Sequence, residues 1–143
     1  VLRYTLQSNE SQSVSLREEM EFASAYIFLL KMRFENNLQF DIQIAKSFED
    51  YRLPPMAVQV LIENAVKHNE ISDRKPLTIH IVTNNEGYLS VSNDIQPKRT
   101  AASGTGIGLV NLAKRYRLLF KQDIQITEDK EFSVCIPLID EVQ

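Results

Sequence analysis

Asn64 and His68 stand one helical turn apart in the stretch Gln59-Val-Leu-Ile-Glu-Asn-Ala-Val-Lys-His-Asn69, and Glu63 and Lys67 repeat that spacing beside them. Read as a helix, the segment puts four polar groups on one side of an otherwise apolar element. An amide oxygen can ligate a hard cation, and a carboxylate, an ammonium and an imidazole complete a set suited to the triphosphate end of a nucleotide carrying Mg²⁺. The competing reading is a solvated helix face, which polar residues on an amphipathic helix ordinarily form.

A second cluster lies forty residues downstream. Three of the four glycines, Gly104, Gly106 and Gly108, fall in Gly104-Thr-Gly-Ile-Gly-Leu109, directly ahead of a helical pattern through Leu109, Leu112, Ala113, Tyr116 and Phe120. Glycine lets main-chain N–H groups crowd a ligand, and a helix N-terminus adds partial positive charge, so the run suits a phosphate. A P-loop would need lysine and a hydroxyl residue after its last glycine, where this chain has Leu109 and Val110. A dinucleotide fold would need G-x-G-x-x-G at a tight strand–helix turn, whereas here a long loop precedes G-x-G-x-G.

The elements that must position these residues follow in order. Ser15-Leu-Arg-Glu18 matches a capping box, so a helix is expected from Leu16. Its stripe Leu16, Met20, Ala23, Ile27, Leu30 and Phe34, widened by Tyr26 and Leu29, fits core packing, and its four-three alternation also suits a partner helix. Leu38, Phe40, Ile42 and Ile44 alternate with polar residues as a half-buried strand. Asp50 to Pro55 is a loop whose last proline fits a first helical turn, and the Asn64 helix is expected from about Pro55 to His68. Leu77, Ile79 and Ile81 form one strand face with His80 on the other. The Asn84-Asn-Glu-Gly87 turn leads into Tyr88 to Asn93, where Asn93 shares the inner face with Leu89 and Val91. A buried amide there needs a partner, and the edge of a base is one. Asp94 to Ser103 has no periodicity and reads as a mobile loop. Runs at Ile124 to Thr127 and Phe132 to Ile136 close the chain as a hairpin. The order argues for an α+β fold of two layers, with a mixed, mostly antiparallel sheet of about five strands and three main helices on one face.

Composition sets the outer bounds. At 143 residues and 43% hydrophobic content the chain suits one domain with one core, here residues 15–143 behind a polar leader at 1–14. A net charge of −3 offers no broad basic footprint, so nucleic acid is not the expected partner. The lone Cys135 has no partner for an internal disulfide, reading as a strand residue in a reducing compartment. The longest apolar stretch, Ala23 to Leu30, is far shorter than the roughly 20 residues that span a bilayer. Opening at Val1 without initiator methionine or signal peptide, the chain reads as a piece of something longer.

Taken together, Glu63-Asn64-Ala65-x-Lys67-His68, the strand ending at Asn93, the loop, and Gly104 to Leu109 followed by Asn111 resemble the catalytic ATP-binding domain of sensor histidine kinases of the LytS/YehU type. These belong to the Bergerat-fold ATPases, with gyrase and mismatch-repair proteins. Glu18-Glu-Met-Glu-Phe22 to Lys31-Met-Arg-Phe34 and Leu53-Pro-Pro-Met56 also resemble that group, so the likeness runs through nearly the whole chain. The resemblance implies ATP and Mg²⁺ as ligands. Asn64 would hold the metal, Lys67 and His68 would contact phosphates, and Glu63 would be a polarising base near the γ-phosphate. Gly104, Thr105, Gly106, Ile107, Gly108 and Leu109 would form the glycine box at the hinge of the lid. Asn93 would take the place of the aspartate that accepts from the adenine amino group. There the chain departs from the pattern, because Asn93-Asp-Ile-Gln-Pro97 keeps neither glycine of the D-x-G-x-G box and carries its acid one place late. The resemblance further implies a phosphoacceptor histidine upstream of this segment, a response regulator, a homodimer in the full-length protein, and a cytoplasmic place beneath a bacterial inner-membrane receptor. A pseudokinase, an interaction module of the same fold without nucleotide, is the alternative.

Overall fold

The computed structural model describes residues 13–98 and 107–140. Its elements are β1 (Val14–Ser15), α1 (Leu16–Phe34), a 3₁₀ turn (Glu35–Asn37), β2 (Leu38–Gln43), a second 3₁₀ turn (Lys46–Phe48), β3 (Arg52–Leu53), α2 (Ala57–His68), β4 (Leu77–Thr83), β5 (Tyr88–Asp94), α3 (Ile107–Phe120), β6 (Gln125–Glu128) and β7 (Glu131–Pro137). Five strands form one sheet in the order β2-β4-β5-β7-β6, while β1 and β3 pair separately. Only β2 and β4 run parallel, with α2 in the connection between them; the other pairs in that sheet are antiparallel. The expected α+β architecture is therefore the observed one.

Alternation decides the layering. Leu77, Ile79, Ile81, Leu89, Val91, Val134 and Ile136 are all buried and share the face that meets the helices. Their register confirms it, since Ile81 pairs with Val91 and Val91 with Val134. The opposite face carries Asp41, His80, Ser90, Ser92, Ser133 and Cys135, so His80 lies away from the core as expected. Asp41 Oδ2 accepts from His80 Nδ1 across β2 and β4 at 2.9 Å, and this bond, with one from Gln43, holds the Asp41 carboxyl below the usual carboxylate range. Cys135 is a half-buried free thiol there.

The helices start by different means. α1 has the predicted capping box: Ser15 Oγ accepts from the Glu18 N–H at 3.1 Å and Glu18 Oε1 accepts from the Ser15 N–H at 3.1 Å. α2 begins later than expected, at Ala57, because Met56 takes a left-handed φ of 70° and no local side chain caps the helix. The cap comes from α1. Buried Glu19 accepts the Met56 and Val58 N–H groups, each at 3.0 Å, and burial raises its pKa despite these bonds. Arg115 of α3 donates to Pro55 O at 2.6 Å close by. Fully buried Tyr116 ties α3 to the sheet by donating its hydroxyl to Pro137 O at 2.8 Å, and burial pushes the phenol pKa up.

Three expectations need correction. Leu29 does not widen the buried stripe of α1; it is 62% exposed, while Leu16, Ala23, Ile27 and Leu30 are buried. β2, an edge strand, ends at Gln43, so Ile44 falls outside it, and Ile42 is 43% exposed. α3 already includes Ile107 and Gly108, two residues before Leu109, so the end of the glycine run is helix. Among the described residues no helix is long and apolar enough to cross a membrane.

Candidate functional site

Asn64 and His68 line a cavity of about 390 Å³ at one end of the sheet. Around them stand Asn69, Ile95 and Pro97 from the segments beside β5, Leu109 of α3, and Glu128 and Phe132 of the β6–β7 hairpin. The i, i+4 spacing on α2 is what brings the amide and the imidazole to one opening. Neither side chain is spent on another hydrogen bond among the described residues. Both are half-buried, which leaves polar atoms facing a partly dry space.

Glu63 and Lys67 do not share that cavity. They are exposed and line an adjoining cleft of about 1100 Å³ with Tyr26, Arg33, Arg74 and Lys98. Successive helical residues are turned by about 100°, so two adjacent i, i+4 pairs point into different spaces. Glu63 accepts from Gln59 Nε2 at 3.2 Å; burial, and next the Glu63 charge, raise the pKa of the Tyr26 phenol.

Asn69 is the residue that sequence reasoning missed. It is buried between the two spaces, donating to Ala65 O at 2.8 Å and accepting the Gln96 N–H at 2.7 Å. Glu70 N–H donates to Gln96 O at 2.6 Å, and Gln96 Nε2 donates to Glu70 O and Lys75 O. These bonds clamp the exit of β5 onto the end of α2. The only signal was an asparagine directly after a helix, a common enough terminator to pass unnoticed.

Asn93 faces inward, 1% exposed, and Asp94 outward, as the alternation of Leu89 and Val91 requires. Its amide nitrogen donates to Asp94 O at 2.7 Å. The residue pairs with Phe132 in register, so it lies next to the cavity wall without being among the lining residues. Gly104, Thr105 and Gly106 lie outside the described residues. Ile107 is exposed, and Leu109 reaches the cavity. Gly108 has a packing reason: a Cβ there would sit 3.2 Å from Val60 Cγ1, so α3 approaches α2 closely at this point.

No group of three or more His, Cys, Asp or Glu side chains suited to a metal occurs among the described residues. Asn64 alone fits a Mg²⁺ that keeps its waters and takes its other oxygens from a bound phosphate chain, the usual habit of that ion.

This fold defines a class. The catalytic domain of histidine kinase ThkA superposes with a TM-score of 0.60 at 19% identity, covering 90% of this chain and 98% of that one. The cytoplasmic segment of histidine kinase QseC superposes with a TM-score of 0.59 at 9% identity, covering 91% and 78%. The chain has the fold of histidine kinase catalytic domains. Sequence narrows the class: Sensor protein LytS of Streptococcus mutans serotype c is 34% identical over 143 aligned residues, 89% of this chain and 24% of the relative. Sensor histidine kinase BtsS of Escherichia coli K12 is 28% identical over 120 residues, 82% of this chain and 21% of the relative. A family model described as Histidine kinase matches residues 1–38. The chain is a homologue of the LytS-type sensor histidine kinases and spans about a quarter of the length of the curated relatives it matches.

Proposed function

We propose that this chain is the ATP-binding catalytic domain of a two-component sensor histidine kinase, presenting the γ-phosphate of Mg-ATP to a histidine on another segment, for onward transfer to a response regulator. The observation that carries this reading is the convergence of Asn64, His68 and Leu109 on one cavity beside the inward-facing Asn93. Asn64 would hold Mg²⁺ through its amide oxygen and His68 would donate to a phosphate oxygen. Lys67, one step round α2, would neutralise charge from the adjoining cleft, and Glu63 beside it would act as the polarising base. The first turn of α3, with Gly104, Thr105 and Gly106 ahead of it, would receive the phosphates through main-chain N–H groups. The adenine amino group would donate to the Asn93 amide oxygen, whose nitrogen is already committed to Asp94 O. Bound Mg²⁺ supplies charge neutralisation on the transferring phosphoryl group; positioning is the rest of what such chemistry requires.

Calorimetric titration with ATP, with and without Mg²⁺, tests the proposal. Saturable binding that tightens with the metal supports it. Absence of binding at millimolar nucleotide would favour the pseudokinase, a reading that the neutral acceptor at Asn93 supports, since a charged acceptor makes the stronger hydrogen bond.

A further inference from the structure

The cleft beside the nucleotide cavity carries positive charge that its own chain leaves unanswered. Arg33 of α1, Lys67 of α2, Arg74 and Lys75 of the α2–β4 connection and Lys98 beyond β5 all line it, in a protein whose net charge is −3. None of the five forms an ion pair or a side-chain hydrogen bond among the described residues. Elsewhere on the surface, Arg17 and Arg117 meet Asp50 and Asp123 at 2.8 and 3.1 Å. The two acids of the cleft are held by neutral donors instead: Gln59 Nε2 donates to Glu63 at 3.2 Å, and Ser72 Oγ to Glu70 at 2.9 Å. The main chain beneath the cations is fixed. Ser72 and Lys75 exchange main-chain hydrogen bonds of 3.2 and 3.1 Å, closing the turn that displays Arg74. Asn37 Nδ2 pins that turn by donating to Asp73 Oδ1 at 2.9 Å, and Gln96 Nε2 by donating to Lys75 O at 3.2 Å. The Arg33 guanidinium lies 4.7 Å from the centroid of the Phe34 ring. Charges positioned in advance lose less freedom when an anion arrives.

We propose that this cleft receives an acidic segment of a partner polypeptide, whose carboxylates meet Arg33, Arg74, Lys75 and Lys98 while an apolar side chain rests on half-buried Phe34 and Ile71. Of the five cations the nucleotide engages Lys67 alone, so the other four are available to this second anion. The pattern of charge selects the partner. Glu63 and Glu70 stand among the cations, so an unbroken polyphosphate would meet repulsion that a peptide with spaced carboxylates avoids. A bilayer presents a flat sheet of charge and does not enter a concave site. Nucleic acid would bring a long run of phosphates to a chain of net negative charge. Arginine suits a carboxylate, because its planar fork donates to both oxygens at once.

Fluorescence anisotropy of the 143-residue chain with a labelled peptide of spaced glutamates around one phenylalanine tests the proposal. The expected result is saturable binding that weakens as salt is raised, and none for the same peptide with glutamine at every glutamate. Arg74→Glu combined with Lys75→Glu should weaken binding by about tenfold or more, and Arg33→Gln by less. All three positions are exposed, so circular dichroism and the thermal midpoint should not change, nor should any affinity for Mg-ATP. Absence of saturable binding, binding that survives the charge reversal, or equal binding of the glutamine peptide overturns the proposal. Capture of phosphatidylserine vesicles or of pyrophosphate without binding of the peptide would assign the cleft to a membrane surface or to free phosphate, and overturns it as well. Displacement of the peptide by Mg-ATP would make the cleft the outer part of the nucleotide site, with the same consequence.

Discussion

The carboxylate of Glu19 on α1 caps α2 from outside, taking the N–H groups of both Met56 and Val58 at 3.0 Å. A helix that carries the candidate metal ligand Asn64 is thus seated by a residue 45 positions earlier (64 − 19), on a different helix.

Removing that cap leaves the buried Val58 N–H and the part-buried Met56 N–H without their acceptor. Glu19→Ala should lower stability by about 1–3 kcal/mol in urea unfolding, the range for an unsatisfied buried group, and should loosen α2 in hydrogen exchange. The pH dependence has a definite sign. Burial raises the Glu19 pKa in the folded state, so the fold binds that proton more tightly than the unfolded chain does. This contribution is full below the ordinary glutamate value and is lost as pH rises through the raised one. Glu19→Gln should remove that slope from the unfolding midpoint measured against pH.

Asp41 and His80 behave in the opposite sense on the outer face. The Asp41 pKa is lowered by its bond to His80, so the stability it adds is present above the ordinary carboxylate value and disappears as pH falls through the depressed one. Asp41→Asn should be less stable than the parent near neutrality, and the two unfolding curves should converge on acidification. A constant gap down to the most acidic conditions would mean that the pair contributes through packing alone.

Gly108 and Val60 should be energetically coupled. Alanine gains up to about 1 kcal/mol of helix propensity over glycine, but its methyl group would press on Val60 Cγ1. Gly108→Ala should therefore be better tolerated in a Val60→Ala background, with a coupling of about 0.5–3 kcal/mol in a double-mutant cycle. Additive effects would show the helix approach to be slack.

Asn64→Ala should abolish the Mg²⁺-dependent part of ATP affinity with the fold intact, since the side chain holds no structural bond among the described residues. Unchanged affinity in that variant defeats the metal assignment. Asn93→Ala should weaken ATP and ADP alike; a loss confined to ATP would place Asn93 at the wrong end of the nucleotide. Because Glu63 lines the neighbouring cleft, Glu63→Gln should slow phosphoryl transfer while leaving nucleotide affinity within about twofold, a factor worth only about 0.4 kcal/mol.

Local pattern alone determined much of this protein. The Ser15–Glu18 box, the period-two runs of β4 and β5, and the inward Asn93 are short-range consequences of sterics and burial, legible within a few residues of sequence. The same is true of the pairing of Asn64 with His68, because one helical turn always brings i and i+4 together. What lay outside local pattern needed neighbours from far along the chain. Whether Glu63 shared the cavity with Asn64 depended on where β5, α3 and the β6–β7 hairpin stand around α2, and they put the two residues into separate spaces. Glycine at 108 reads alike as a phosphate contact or as a close helix approach until Val60 is placed against it. Glu19 looked like one more surface acid in an acidic first turn, and only the arrival of Met56 and Val58 at its carboxylate made it a cap. In each case the deciding partner is distant in sequence, and contacts of that kind leave no periodicity to read.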